Sequence, residues 1–332
     1  MLAFGAGDSG SNPLGAMVRI RPGSPHRGPW LILERRALEP KAVRFMRHGL
    51  GGGLMRARDR RRMAINRAWW DESVPHHVAS ASYDVPSFLR GKTSLRPLEI
   101  REMGSVRGKA LLHLQCHFGM DTLSWARRGA VVTGADFSLP AVRAARRLAQ
   151  QAGITATFLH TNVYDLPDSL DGQFDIVYTG KGAIGWLPDV TRWAAAVGRV
   201  LKPGGRFFLI EDHPIAEVFN NDGAATRLEP RFPYFGGRAL REESDGTYAS
   251  AATMRHRVTY GWIHPVSEML SALTAHGLEI ESVQEYPFTY WRKFPFMTED
   301  PRGWWRIGSK EGVFPLMWTV RARRKALPPT SL

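Results

Sequence analysis

The residues best placed to do chemistry lie in a short run, LLHLQCHFGMDT at 111–122. Apolar residues lead into a turn, and the turn leads into a helix-like stretch. Gly119 would then sit at a helix N-terminus, where free backbone N–H groups face outward. Seventeen residues later Asp136 closes a second apolar run, AVVTGA. A carboxylate there can accept both hydroxyls of an adenosine ribose. Ser138 follows as a helix cap, with Pro140 in the first helical turn. Asp136 could instead serve as a cap, but Ser138 already suits that task. A second set of candidates follows the run RFFLIE. Glu211, Asp212 and His213 stand at the C-terminal end of a strand, the edge where open sheets bind ligands. His264 and Tyr260 precede a later helix. Of these, His213, Tyr260 and His264 are the candidates for general-base work, His213 first. A histidine at that position is equally suited to packing.

The turn after the first strand carries bulky Gln115 and His117 where nucleotide loops usually carry glycine. A pyrophosphate needs close backbone approach, so these side chains disfavour a nicotinamide dinucleotide. S-adenosylmethionine (SAM) carries no phosphate, and its methionine tail tolerates larger neighbours. His113, Cys116 and His117 are too compressed for a metal site, and no fourth ligand is evident. No metal is expected.

These residues need a scaffold to position them. Ala110–Leu114, Ala130–Ala135, Thr155–His160, Phe174–Tyr178 and Arg206–Glu211 read as strands. Met120–Arg128, Ser138–Gln151 and Asp189–Leu201 read as helices between them. Regular alternation of this kind predicts a parallel sheet covered on both faces. It breaks at His213. Residues 213–262 carry turn signals and aromatics and are expected to form a cover. Pro265–His276 resumes as a helix, and Leu278–Tyr286 and Val313–Arg323 as strands. The aromatic loop at 287–313 between them reads as a lid. Upstream, MAINRAWWDE opens a helical cap over 63–104. Residues 1–62 contain thirteen Lys/Arg and four Asp/Glu, so nine of the fourteen net positive charges lie there. That segment reads as a disordered basic arm or a gene-model extension ahead of Met63.

The runs LLHLQCHFG (111–119), VVTGADFS (131–138), TNVYDLP (161–167), FDIVYTGKGAIGWLPD (174–189) and RVLKPGGRFFLIE (199–211) together resemble the class I SAM-dependent methyltransferases. The likeness is to the small-molecule group with the methyltransferase-11/25 pattern, and it covers about residues 105–211. It implies a Rossmann-like, seven-stranded, mostly parallel sheet with the last strand antiparallel, completed by 263–326. It implies SAM as cofactor. Gly119 and the backbone of Gln115–His117 would border the methionine part, with Asp136 on the ribose and Phe137 against the adenine. Ser138 is grouped with them. Asn162 stands where the family has Asp, and its carbonyl can still accept from the adenine amino group. Val163 would read the adenine edge, and Tyr178–Gly180 would approach the methionine tail. Departures from the pattern are His113 for the usual acidic residue and Gln115 and His117 for glycines. They leave the amino-group contact to Gln115, to carbonyls near Gly180, or to the Trp69/Trp70 helix.

The turn Tyr178-Thr179-Gly180-Lys181 lacks the Asn/Asp-Pro-Pro-aromatic signature of amine and amide methylation. The lone cysteine, Cys116, lies in the loop, not where a cytosine-attacking nucleophile belongs. Both points set aside two common nucleic-acid chemistries and leave other RNA-modifying types open; nucleic acid is the less favoured partner, and the leading expectation is a small organic acceptor, methylated by in-line displacement. An RNA methyltransferase using the basic arm is one alternative. A SAM-binding protein without turnover is another. A single cysteine and no apolar run long enough to span a bilayer point to a cytoplasmic protein. Oligomeric state is open.

Overall fold

The structure, a computed structural model, describes residues 55–308 and 312–326. The expected arm lies outside the described residues up to position 54. Its last residues do not behave as an arm. Helix α1 runs Ala57–Ala79, so Arg58–Arg62 belong to it. Its start precedes Met63 because Met63, Asn66, Trp69, Ser73, Val74 and His77 form one buried stripe at helical spacing. That stripe outweighs five arginines in 56–62, which sit at the end where the helix dipole disfavours cations. Two short helices follow, α2 at Val85–Leu89 and α3 at Pro97–Met103.

The core alternates as expected: β1 Ala110–Leu114, α4 Met120–Arg127, β2 Val131–Asp136, α5 Leu139–Ala152, β3 Thr157–His160, β4 Phe174–Gly180, α6 Val190–Val200 and β5 Leu201–Asp212. Helix boundaries follow their caps. Ser138 Oγ accepts from the Ala141 N–H at 3.2 Å, and Gly153 ends α5 at φ 64°. Asp189 Oδ1 accepts from the Arg192 N–H at 2.9 Å to start α6.

Seven strands form one sheet in the order β3-β2-β1-β4-β5-β11-β8, with β8 at Leu278–Tyr286 and β11 at Met317–Arg324. The first five are parallel; β11 runs antiparallel to both β5 and β8. From β1 the chain builds outward to β3, then crosses back to β4. The crevice at this reversal, between the ends of β1 and β4, is where such sheets bind ligands.

Both faces of the sheet are covered. Leu112 and Leu114 pack with Trp193 of α6, Leu273 of α7 (Val266–Ala275) and Val320. Leu111 faces the other way, with Trp125, Tyr178 and Phe208. Burial on both sides explains the near-continuous apolar strands. Among the described residues no helix is long and apolar enough to cross a membrane.

The cover contains a hairpin that the sequence hides: β6 Leu240–Glu243 pairs antiparallel with β7 Val258–Gly261. β6 reads LREE, and no tight turn joins the two strands, so neither alternation nor turn chemistry announces them. A two-residue pair, β9 Thr298–Glu299 with β10 Trp305–Arg306, organises the 287–308 loop. The final strand begins at Met317 rather than Val313.

Candidate active site

The loop after β1 solves its lack of glycine by strain. Gln115 and His117 adopt φ 54° and 51°, and Gly119 φ 81°. Three alternate positions thus keep the left-handed backbone of a glycine-rich turn. Each non-glycine residue costs about 1–2 kcal/mol there, and here both side chains act as tethers. Gln115 Nε2 donates to Ala183 O at 2.7 Å, crossing the crevice to the turn after β4. His117 Nε2 shares a 3.0 Å hydrogen bond with His77 Nδ1 on α1. Gly119 is irreplaceable for a second reason. A Cβ there would stand 2.7 Å from the Phe158 ring.

Asp136 ends β2, 7% exposed. Its Oδ2 accepts from the His117 N–H at 2.8 Å and its Oδ1 from the Ser138 N–H at 2.9 Å. Burial pushes its pKa up to about 6; the two N–H bonds resist, and the charge of Asp71 adds to the rise. The Phe137 carbonyl accepts from His160 Nε2 at 3.0 Å, which fixes the chain beyond the strand. Asn162 uses its carbonyl locally, accepting from the Tyr164 N–H at 3.1 Å, while Val163 is buried.

On the other wall, Gly180 approaches β5 so closely that a Cβ would lie 2.8 Å from Ile210 O. Glu211 then gathers the turn. It accepts from the N–H groups of Gly182 (2.8 Å), Ala183 (2.7 Å) and Ile184 (3.3 Å). Burial, with Asp212 beside it, pushes its pKa up to about 8 against those three donors. Lys181 bends away into a buried cluster. Its Nζ lies 2.9 Å from Asp121 Oδ2 and 3.1 Å from Glu99 Oε2. Glu99 also accepts from the Tyr178 hydroxyl at 2.6 Å. Burial raises the Glu99 pKa despite that lysine.

Helix α1 roofs the crevice. Trp69 stacks on Trp186 (5.6 Å between centroids, 23° between planes), and Trp70 meets His117 and Trp186 edge-on at 5.1 Å. Desolvation holds His77 at about 4 and His117 well below the ordinary histidine value, so both rings are neutral at pH 7. The roof is sewn to the cover. Asn66 forms a two-bond clasp on the Tyr260 backbone, both at 2.8 Å. Glu72 accepts from the Arg255 and His256 N–H groups at 2.8 and 2.9 Å. The Tyr83 and Tyr248 hydroxyls bond to one another.

The structure therefore brings Gln115, His117, Gly119, Asp136, Ser138 and Gly180 to one edge, with Phe137, Asn162 and Val163 following the next two strand ends. No hydrogen bond or ring contact joins His213, Tyr260 and His264. His264 is spent on the framework: Nε2 donates to Leu187 O at 2.7 Å, and Nδ1 lies 3.3 Å from Glu268. Tyr260 lies under the Arg62 guanidinium, 5.4 Å from its ring centroid. His213 Nδ1 accepts from the Ile215 N–H at 3.1 Å. Its Nε2 lies 2.9 Å from Glu285 Oε1 without the alignment of a hydrogen bond. Residues that sequence reasoning passed over are His77, Asp71, Trp186 and the Lys181 cluster. Only the paired tryptophans of α1 hinted at the first two.

The edge suits a cation-bearing adenosyl ligand. Asp71 Oδ1 and Gln115 Oε1 are buried acceptors with no partner among the described residues. The lysine beside the turn is already committed to two carboxylates. The loop N–H of His117 is given to Asp136. Acceptors that want donors, and no free cation for a pyrophosphate in the loop or its facing turn among the described residues, fit SAM with its ammonium, sulfonium and ribose hydroxyls. Gln115, Asp136 and the Gly180 turn would hold it. Comparison with known proteins agrees. Residues 111–205 match a methyltransferase domain family. A ubiquinone biosynthesis O-methyltransferase of Nitrosococcus oceani is 33% identical over 177 residues, covering 52% of this chain and 70% of that protein. One from Pseudomonas aeruginosa is 28% identical over 193 residues, covering 57% and 78%. In fold, a SAM-dependent methyltransferase from Mesorhizobium loti superposes with a TM-score of 0.50 at 24% identity, over 71% of this chain and all of that one. Strand order, loop geometry, acceptor set and relatives lead to one place: the chain belongs to the class I SAM-dependent methyltransferases and is an enzyme that uses SAM as its methyl donor.

Proposed function

We propose that the enzyme methylates an oxygen of a small aromatic acceptor. The observation that carries this is the wall of rings over the crevice. Trp69, Trp70 and Trp186 touch one another in a continuous aromatic cluster, and Trp70 meets the His117 ring of the cofactor loop. Flat aromatic molecules are held by such surfaces. The relatives in Nitrosococcus oceani and Pseudomonas aeruginosa carry an O-methyltransferase name, which supports oxygen as the accepting atom. SAM supplies an electrophilic methyl group on a sulfonium. The protein's part is to align the acceptor, keep water out and receive the hydroxyl proton.

For that proton we assign His213. It borders the C-terminal end of β5, and burial holds its pKa below the ordinary histidine value, so it is in its basic form at pH 7. The Ile215 N–H must release Nδ1 for it to act. The test is methyl transfer from radiolabelled SAM to a panel of phenols, catechols, amines, thiols and bulk RNA. Transfer confined to phenolic oxygen is the expected outcome; transfer to RNA or to nitrogen would overturn it. His213→Ala should lower kcat at least tenfold with S-adenosylhomocysteine (SAH) affinity unchanged. Unchanged kcat removes His213 as the base.

A further inference from the structure

Asp71 has no explained role. It lies on α1, one residue past the tryptophan pair that covers the cofactor loop. Its Oδ1 is buried and has no hydrogen-bond partner among the described residues. Burying an unsatisfied carboxylate oxygen costs more than burying a neutral acceptor. Its neighbour Glu72 shows what a helix carboxylate does when its job is structural, since both its oxygens hold backbone N–H groups of the cover. Asp71 holds nothing.

What Asp71 does act on, through its charge, is another carboxylate. Its charge acts on Asp136 and raises the pKa of that group. His160 on β3 opposes that rise, and Asp136 in turn pushes up the buried thiol of Cys116 in the loop. Among the described residues neither Asp71 nor Asp136 forms an ion pair with a lysine or arginine. Two carboxylates that repel each other, neither paired with a cation, form an arrangement that waits for donors. A vicinal diol supplies two.

We propose that Asp71 is a second carboxylate for the adenosyl cofactor, accepting a ribose hydroxyl from the roof while Asp136 accepts from the strand end. This rests on the SAM assignment above. It makes α1 part of the cofactor seat as well as its cover. It also explains a buried, unpartnered carboxylate oxygen on the flank of a helix whose other buried polar side chains, Asn66, Ser73 and His77, all have hydrogen-bond partners.

The experiment is calorimetric titration of SAH into the full-length protein and its Asp71→Asn and Asp71→Glu variants, with thermal unfolding of each unliganded protein. Asp71→Asn is expected to weaken SAH about tenfold or more. The same change should raise the unliganded melting temperature, because it removes the repulsion of Asp136. Asp71→Glu should recover part of the affinity. A merely structural Asp71 would move both readings downward together, and that result overturns the proposal, as does unchanged SAH affinity in Asp71→Asn. If the wild-type protein itself fails to bind SAH, the cofactor assignment falls, and the role of Asp71 falls with it.

Discussion

The sheet edge and the roof above it are built by different means. At the edge, Asp136, Gly180 and Glu211 are placed by strands whose backbones pair residue by residue. Above it, α1 and the cover are placed by single side chains that reach far along the chain. Asn66 clasps Tyr260, Glu72 holds Arg255, and Asp212 accepts from Trp291 Nε1 at 2.7 Å and Thr289 at 2.8 Å. Buried Lys293 joins this last group through Glu217 at 2.6 Å. The lower half therefore resists point changes that keep the ladder. The upper half hangs on a few bonds, each worth about 0.5–1.5 kcal/mol net, and more where a charge is involved.

The two halves should also answer pH with opposite signs. Asp136 is raised to about 6, so it is destabilising once ionised. Its contribution is fully present below the unfolded carboxyl value and is lost as pH rises through about 6. His77 is lowered to about 4. Its contribution is present above the unfolded histidine value and is lost as pH falls toward 4. Each effect is on the order of 3 kcal/mol. Both contributions change between about pH 4 and 6.5, so melting temperatures of the unliganded protein should rise more steeply with pH there in Asp136→Asn and less steeply, or fall, in His77→Gln. If either variant changes the slope in the opposite sense, the division between edge and roof is wrong.

Gly119→Ala attacks the edge directly. It sets a Cβ against Phe158 in a left-handed backbone, and should cost about 3 kcal/mol and abolish SAH binding. Chemical denaturation and calorimetry read both. Asn66→Ala attacks the roof. It frees two backbone groups of the cover and should cost about 1–2 kcal/mol. SAH affinity should change little, while amide exchange in 255–261 accelerates. An equal loss of SAH affinity in both variants would erase the distinction. The smallest effect belongs to Tyr248→Phe. It removes one exposed hydroxyl pair with Tyr83, and should shift the acceptor KM while leaving stability within about 0.5 kcal/mol.

The same contrast decides what could be read from the residues alone. The edge is local: LLHLQCHFG, the acid at Asp136 and the cap at Ser138 lie within 28 residues, and each signals through its own neighbours. Even the positions of Gln115 and His117 were legible, though not that they keep a glycine backbone. The roof is not local. Asn66 and Tyr260 are 194 residues apart. β6, LREE, is exposed along most of its length, so no apolar alternation marks it. The start of α1 was misplaced at Met63 because the arginines before it look like a solvated run. Asp71 was invisible because an acidic residue on a helix is ordinary until its surroundings are known.

His117 holds the carboxylate of Asp136 with its backbone and the ring of His77 with its side chain. Seat and roof are thus the two ends of a single residue. Any displacement of α1 would therefore pull, through His117, on the carboxylate of Asp136, and any shift of that carboxylate would pull on the roof. The result would be a mechanical tie between the roof and a nucleoside seated on that carboxylate. The natural place to look for its signature is the residence time of the spent donor, which a glycine at position 117 would shorten by uncoupling the two.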